Sequence, residues 1–274
     1  MTLAIAGIRK FRTRTATIVS LIIAALLVAL EFVLIGVSYR SATSEPSVNP
    51  AALLWYLTFP GAFDAILELT FLLLGITGLI YVASVTGSEW SWGTLKVAVM
   101  RGHSRWQYTV STFASLAFIL LIGLVITFMV GIVATFIGAS LAGVSAGNPL
   151  DPGQLPQLAL KLVRCWIALA GLTSLAYAVT MVARSQMAGI GTVIGYFIVS
   201  LIGPALLPDF VKEIFKYLPF SVAADAIGLQ GPPTSGATST SGVEPNLALL
   251  VIVCWLVGCL AVACVSVERA EISG

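Results

Sequence analysis

Charged side chains are scarce in this sequence: they make up 9% of its 274 residues, whereas a soluble domain carries about 25%. Hydrophobic residues make up 58%, and the mean hydropathy is +1.02. A chain with this balance cannot hide its apolar surface from water, so we expect a membrane protein. The net charge of +2 gives no indication of a nucleic-acid partner.

Metal ligands and phosphate-binding motifs are also scarce. The sequence has one histidine, His103, and its four cysteines lie in apolar runs without a CxxC pair. A zinc site would find few ligands, and we expect the cysteines to be small apolar residues of packed helices. The sequence has no GxxxxGK[ST] loop, so we expect this chain to bind no cofactor and to hydrolyse no ATP itself. The cysteines are Cys165, Cys254, Cys259 and Cys264.

Six apolar runs are long enough to cross a membrane, since a spanning helix needs about 20 residues. Six spans put both termini on one side. Lysines and arginines are concentrated on that side, so the positive-inside rule places it in the cytoplasm. We therefore expect an all-α membrane protein with one domain over 1–274, in the plasma membrane of a bacterium. The runs are 17–38, 62–86, 110–138, 158–183, 187–207 and 247–267. The expected inner residues are Arg9, Lys10, Arg12, Arg14, Lys96, Arg101, Arg105, Arg184 and Arg269, against Arg40, Lys161, Arg164, Lys212 and Lys216 outside.

Two amphipathic segments accompany these runs. The basic stretch 3–14 is expected to form an interfacial helix that meets anionic lipid. On the outer side, the segment between Pro208 and Pro219 places apolar residues at helical spacing. It predicts an amphipathic helix that either covers the bundle as a lid or re-enters the membrane beside an exit.

The segment Glu89–Arg105, EWSWGTLKVAVMRGHSR, is the densest run of charge and turn signals in the chain, and we call it the polar segment. Thr86 and Glu89 have the spacing of a capping box, which predicts a helix that begins at Gly87 and ends near Gly102. A glycine inside such a helix costs about 1 kcal/mol relative to alanine, which favours close approach by another protein. The alternative is a capped surface turn whose tryptophans anchor at the membrane interface. Trp92, Leu95 and Val99 are expected to share the apolar face of that helix.

The sequence EWSWGTLKVAVMRGHSRWQY, which starts at Glu89, resembles the signature of the type-2 ABC transporter permeases, the ABC-2 family. That signature has an acid, a Gly-Thr-Leu step and a small turn ending in Ser-Arg, between spans two and three. Many members have proline where Gly102 stands. The matching residues are Glu89, Gly93, Thr94, Leu95, Gly102, Ser104 and Arg105, and Trp92 and Lys96 complete the expected coupling helix.

The resemblance implies the membrane subunit of an ABC exporter. The polar segment would insert into a cytoplasmic ATPase, two copies of which would bind ATP and magnesium. Two permease chains, alike or different, would form the path for a hydrophobic, drug-, lipid- or peptide-like substrate. The alternative is an ATP-independent secondary transporter, which would place charged or broken helices near the membrane middle. An intramembrane enzyme is disfavoured, because His103 is expected in a solvated loop.

Four ionisable residues lie within the expected spans, where an ionised group costs several kcal/mol unless it has a partner. We predict that Arg164 pairs with Glu31 or Glu68 and so fixes helix register; a polar lining of the translocation path is the alternative. Gly191 and Gly195 form a GxxxG pair, which predicts either packing within the chain or contact with a second permease chain. The four ionisable residues are Glu31, Asp64, Glu68 and Arg164.

Overall fold

The computed structural model consists of helices joined by turns and loops, and no strand occurs among the residues it describes, which confirms the all-α prediction. The described residues are 7–9, 14–42, 50–100, 102, 104–206, 213, 215–231 and 242–269. The helices are α1 (Thr15–Ala42), α2 (Pro50–Leu57), α3 (Gly61–Ser91), α4 (Thr94–Met100), α5 (Arg105–Ala142), α6 (Leu155–Ala183), α7 (Gln186–Leu206), α8 (Pro219–Ile227) and α9 (Pro245–Glu268).

Five of these helices, α1, α3, α5, α6 and α9, are long and apolar enough to cross a membrane, so the chain has the character of a multi-pass membrane protein. The run expected as the fifth of six spans forms α7, in which Gln186–Ser200 is a shorter apolar helix. By length and composition the structure therefore has five candidate spans among its described residues, where the sequence predicted six. The expected helices at 3–14 and 208–219 lie for the most part outside the described residues.

Local chemistry accounts for how these helices begin and for their buried hydroxyl groups. A proline occupies the first turn of α6, α8 and α9, where the ring fixes a helical φ and no N–H is lost from the helical ladder. Several buried threonines donate to the carbonyl one turn earlier in their own helix, which satisfies the hydroxyl without another chain segment. These bonds join Thr135 to Gly131, Thr173 to Leu169 and Thr180 to Ala176.

Starts of some helices and ends of others lie together at one end of the bundle. At the end that holds Glu89, Arg14 at the start of α1 donates to Ser88 near the end of α3. At the same end, Gln186 of α7 donates to Ser84 of α3, and the last turn of α9 lies against the last turn of α6. The other end holds Asp64, in the first turn of α3. We call the two ends the Glu89 end and the Asp64 end.

The centre of the bundle is formed by α3 and α6, which are the most buried of the five long helices. One cluster of buried side chains fills the Asp64 half and a second fills the Glu89 half. In the second cluster Tyr177 is fully buried, and its hydroxyl donates to the Thr109 carbonyl at 2.8 Å. The helices α1 and α9 lie at the periphery with wide exposed apolar faces, as expected where lipid is the solvent.

The helix α8 lies inside the bundle, although only nine residues long. Its Phe220 ring packs against Phe71 of α3 at 6.3 Å and against Phe197 of α7 at 5.8 Å. Its C-terminal neighbour Gly228 lies beside Arg164 and Pro245 at the Asp64 end. The helix α8 therefore runs inside the bundle towards the Asp64 end.

Candidate functional site

The polar segment folds as two turns around the short helix α4. Helix α3 continues without interruption to Ser91, the chain turns at Trp92 and Gly93, and α4 begins at Thr94. After Met100 it turns again at Gly102, and α5 begins at Arg105. A short helix is therefore present between α3 and α5, and its predicted end near Gly102 is confirmed.

The predicted start of that helix at Gly87 is wrong. Thr86 is fully buried inside α3, and its Oγ1 has no hydrogen-bond partner among the described residues, so no capping box forms. Gly87 allows close helix packing instead: an added Cβ would lie 2.4 Å from the Cα of Gln186, at the start of α7. Tertiary packing of α3 against the second core cluster therefore overrides the local capping signal.

Gly93 has a different role from the one inferred from sequence. It adopts a φ of +65°, a conformation that costs other L-residues about 1–2 kcal/mol, at the turn that separates α3 from α4. Gly102 has a φ of +87° and ends α4 in the same way. An added Cβ at either glycine would meet no other atom within 4 Å among the described residues, so the turns, and not crowding, account for both.

The two faces of α4 differ sharply. Leu95 is 4% exposed and packs into the second core cluster, whereas Met100 is 78% exposed. Val97 is also exposed, and so is Trp92 in the preceding turn. The apolar face predicted for Trp92, Leu95 and Val99 does not form, because Trp92 precedes the helix. Lys96 lies in α4, whereas Arg101 and His103 lie outside the described residues.

Glu89 is a buried acid, although sequence reasoning placed it on a docking surface. Its side chain lies in the last turns of α3 and is 3% exposed. The Tyr108 hydroxyl of α5 donates to Glu89 Oε2 at 3.0 Å, and Thr94 at the start of α4 donates to the Glu89 carbonyl at 3.0 Å. Glu89 therefore joins the end of α3 to the starts of α4 and α5.

Arg105 and Ser104 lie at the start of α5. The Arg105 guanidinium donates to the carbonyls of Val267 and Glu268, at 3.2 and 3.0 Å. Those carbonyls belong to the last turn of α9, where a cation also complements the helix dipole. Ser104 is the N-cap residue of α5, with an extended backbone and no capping bond from its hydroxyl. Arg105 thus connects the polar segment to the final helix of the chain.

Two arginines stack on tryptophans at the same end of the bundle. The Arg14 guanidinium lies 5.1 Å from the Trp92 ring centroid, and Arg184 lies 5.3 Å from that of Trp90. The indole N–H of Trp90 also donates to the sulfur of Met181. Cation–π contacts of this kind contribute about 0.5–1 kcal/mol at exposed sites. Through these contacts the start of α1 and the end of α6 also lie beside the polar segment.

The predicted pairing of Arg164 with Glu31 or Glu68 is wrong. Arg164 donates to the amide oxygen of Asn246 at 2.7 Å, near the start of α9. The ion pair at this end joins Lys161, one turn earlier in α6, to Asp64 at 2.5 Å. Position along a helix predicts depth, but which side chain faces which helix depends on rotation about the helix axis, and Lys161 is the residue of α6 that faces Asp64.

Glu31 and Glu68 instead line an open groove of about 360 Å³ between α1, α2 and α3. Both carboxylates are exposed, and neither forms an ion pair within the described ranges. The groove also contains Tyr56, whose pKa is raised by burial and by the nearby Glu68 carboxylate, so the phenol keeps its proton. The result is a mainly apolar groove that carries two acceptor carboxylates and one phenol donor.

The predicted GxxxG pair lies on an open face of α7. An added Cβ at Gly191 or Gly195 would meet nothing within 4 Å among the described residues, so packing within the described chain does not explain the pair. The close glycine contact that sequence reasoning missed joins α1 to α5. There an added Cβ at Gly36 would lie 2.3 Å from the carbonyl oxygen of Gly138. An added Cβ at Gly138 would lie 2.3 Å from the carbonyl oxygen of Phe32.

Comparison with known proteins gives a family but no activity. No curated protein matches the sequence. One family model covers residues 53–273, which include α3 to α9 and the whole polar segment. The chain belongs to the family described as "Protein of unknown function (DUF2705)".

Proposed function

We propose that this chain is the membrane subunit of an ABC exporter, in which a separate cytoplasmic ATPase supplies the energy. In this proposal α7 is a sixth span, both termini are cytoplasmic, and the Glu89 end faces the cytoplasm. The direction of the long helices supports that topology, because α1, α5 and α7 begin at the Glu89 end, where α3, α6 and α9 end. The positive-inside count supports the orientation.

The observation that carries the proposal is the construction of α4. One face of this helix is buried through Leu95, while Val97 and Met100 on the helix and Trp92 in the turn before it are exposed. Large apolar side chains at a protein surface mark contact sites more often than charged ones do. A short helix that is anchored on one side and apolar on the other is suited to insertion into a groove of a partner.

The residues of the coupling signature divide into two roles in this proposal. Trp92 and the exposed face of α4 meet the ATPase. Glu89, Thr94 and Arg105 are positioning residues, because their hydrogen bonds join them to α5, α3 and α9. Movement of α4 would then displace the ends of several helices at once.

The transported substrate would move past the groove of Glu31 and Glu68, in the Asp64 half of the bundle. Glu31, Glu68 and Tyr56 are proposed to line part of this path, since the ion-pair role predicted for the two acids has no support among their contacts. The open face of α7 around Gly191 and Gly195 is proposed to contact a second permease chain. The carboxylates of Glu31 and Glu68 and the phenol of Tyr56 would suit an amphipathic substrate with a cationic or donor group.

The test is co-purification with a candidate ATPase that carries Walker motifs, using Met100→Asp in this chain. Met187 provides the matched control, because it is also 78% exposed at the start of α7 and lies outside the polar segment. If Met100 is an interface hot spot, Met100→Asp should weaken ATPase binding about 30-fold or more, as expected for a loss of at least 2 kcal/mol. Met187→Asp should bind as the wild type does. Equal binding by both variants and the wild type would contradict the assignment of α4.

The short helix α8, which begins inside the bundle, favours one alternative, an ATP-independent secondary transporter. Short helices that end inside the bundle occur in such proteins, where their termini meet ions or substrate. The two proposals differ in energy source. Export from vesicles that depends on ATP and the partner would support the ABC assignment, whereas uptake driven by a proton or sodium gradient without ATP would favour the alternative.

A further inference from the structure

A groove of about 290 Å³ lies between α1, α3 and α5 in the Glu89 half of the bundle. It is separate from the groove of Glu31 and Glu68 and shares no lining residue with it. Ile8, in the described segment 7–9, contributes to its wall beside Ile18. The outer rim is formed by apolar side chains that are about half exposed, such as Ile18 and Ile22. The groove is thus open to the surroundings of the long helices.

The lining of this groove is mainly apolar, and most of its hydroxyl groups lie towards one end. Hydroxyl groups of Thr17, Ser20 and Tyr81 lie towards the Glu89 end. Leu74 and Gly123 line the part nearer the middle of the bundle. From Tyr81 to Leu74 the helix rises about 10 Å, at 1.5 Å per residue. This order, hydroxyls first and apolar surface above, matches the order of a glycerol ester and its acyl chain.

The hydroxyl pair at the polar end has donor capacity for a ligand. Thr17 Oγ1 donates to the Tyr81 hydroxyl oxygen at 2.7 Å. Tyr81 is 7% exposed, so its hydroxyl is held in place by the surrounding side chains. Since it accepts this bond, its own proton is left to donate to an ester or phosphate oxygen that enters the groove.

Positive charge lies just beyond the polar end. Arg14 is one turn before Thr17 and Ile18, and its backbone carbonyl accepts from both of their amides. Its guanidinium lies at the Glu89 end, against Ser88 and the Trp92 ring. Arg9 follows Ile8 of the groove wall and is exposed. A ligand with an apolar chain in the groove would therefore place its head group among cations.

We infer that this groove binds one anionic diacyl phospholipid of the cytoplasmic leaflet, with one acyl chain in the groove and the phosphate near Arg14. This inference rests on the orientation given under the proposed function, in which the Glu89 end is cytoplasmic. Each basic residue near the membrane surface contributes about 1 kcal/mol of attraction to anionic lipid. The acyl chain moves from one apolar environment to another, so the preference for one lipid comes from its head group. The bound lipid contacts α1 and Arg14, and so lies next to the polar segment.

The experiment is native mass spectrometry of the purified full chain with phosphatidylglycerol or phosphatidylcholine of identical acyl chains. The wild type should retain one phosphatidylglycerol per chain in preference to phosphatidylcholine. Arg14→Gln should reduce that preference about fivefold, the equivalent of one basic residue. Gly123→Leu should abolish retention of the single lipid, because Gly123 lines the groove and an added Cβ there meets only ordinary contacts at 3.8–3.9 Å.

Two matched controls separate this site from general lipid binding. Gly258→Leu places the same side chain in the other large apolar groove, between α6 and α9, and should leave phosphatidylglycerol retention unchanged. Arg40→Gln removes a cation from the last turn of α1 and should leave the head-group preference unchanged. Ile22→Trp, at the exposed rim, replaces Gly123→Leu if that variant does not fold.

Several outcomes would overturn the inference. The first is equal retention of the two lipids by the wild type. The second is unchanged phosphatidylglycerol retention in both Gly123→Leu and Ile22→Trp. The third is a loss of phosphatidylglycerol in the Gly258→Leu control as large as that in Gly123→Leu. Co-purification of the ATPase is measured on the same samples. Lipid retention without ATPase binding would refute the exporter proposal alone, and ATPase binding without selective retention would refute the lipid site alone.

Discussion

Replacement of Glu89 distinguishes a buried connecting residue from a surface recognition residue. Glu89 is 3% exposed and accepts from the Tyr108 hydroxyl at 3.0 Å. A hydrogen bond to a charged group contributes about 1.5–3 kcal/mol. Glu89→Ala removes this acceptor and leaves the Tyr108 hydroxyl without it, so we expect the free energy of unfolding to fall by about 1.5–3 kcal/mol. Glu89→Gln keeps the volume and an acceptor oxygen, so we expect a smaller loss.

The assay is equilibrium unfolding of the purified chain in mixed micelles, followed by tryptophan fluorescence. Glu268→Gln is the matched control, because Glu268 is an exposed acid at the same end of the bundle. It should change the free energy of unfolding by less than about 0.5 kcal/mol. A double-mutant cycle with Tyr108→Phe isolates the pair, since each single change removes one side of the same hydrogen bond.

A surface role for Glu89 gives the opposite pattern. Glu89→Ala would then unfold as the wild type does, and its effect would be confined to binding of the ATPase. A coupling energy near zero in the cycle with Tyr108→Phe, together with unchanged stability of Glu89→Ala, would refute the connecting role argued from the structure.

Three further predictions concern the other parts of the bundle. Lys161→Met leaves Asp64 buried without its cation. Loss of one partner of a buried pair costs about 3–5 kcal/mol, and we expect a value near the lower end because Lys161 is partly exposed. Asp64→Asn in the same chain should recover part of this loss, as measured by equilibrium unfolding. Gly138→Ala places a Cβ 2.3 Å from a backbone carbonyl and should cost about 1–3 kcal/mol, whereas Gly191→Ala should leave unfolding unchanged; equal effects would contradict the packing. Glu31→Gln should reduce transport in vesicles without changing the free energy of unfolding, and a loss of stability with normal transport would favour a structural role instead.

The sequence predicted the helical elements well but not their boundaries near Glu89. Long apolar runs identify spans because the bilayer requires about 20 apolar residues. The capping signal at Thr86 is local, however. Burial in α3 continues past Thr86, at Gly87 and Glu89. The cooperative packing of a long helix outweighs a cap worth about 1 kcal/mol, so α3 extends to Ser91.

Side-chain pairing was less predictable than depth. Arg164 and Lys161 lie one turn apart on α6, and both are close in depth to Asp64. A single sequence does not give the rotation of α6 about its axis, which decides that Lys161 meets Asp64 and Arg164 meets Asn246. The helix α8 escaped notice for a related reason. Nine residues are too few for a periodic pattern to be separated from a loop.

The burial of Glu89 bears on how a displacement of α4 could reach the rest of the chain. Thr94 donates to the Glu89 carbonyl, and Leu95 is buried, so α4 cannot move away without disturbing the last turns of α3. The Glu89 carboxylate in turn holds Tyr108 of α5, and Arg105 in the same first turn holds the carbonyls of α9. A helix attached only by its two glycine turns would absorb a displacement through those turns. With these contacts, a partner that moves α4 must also move the adjoining ends of α3, α5 and α9, so Glu89 contributes more to transmission when buried than it could as one exposed contact.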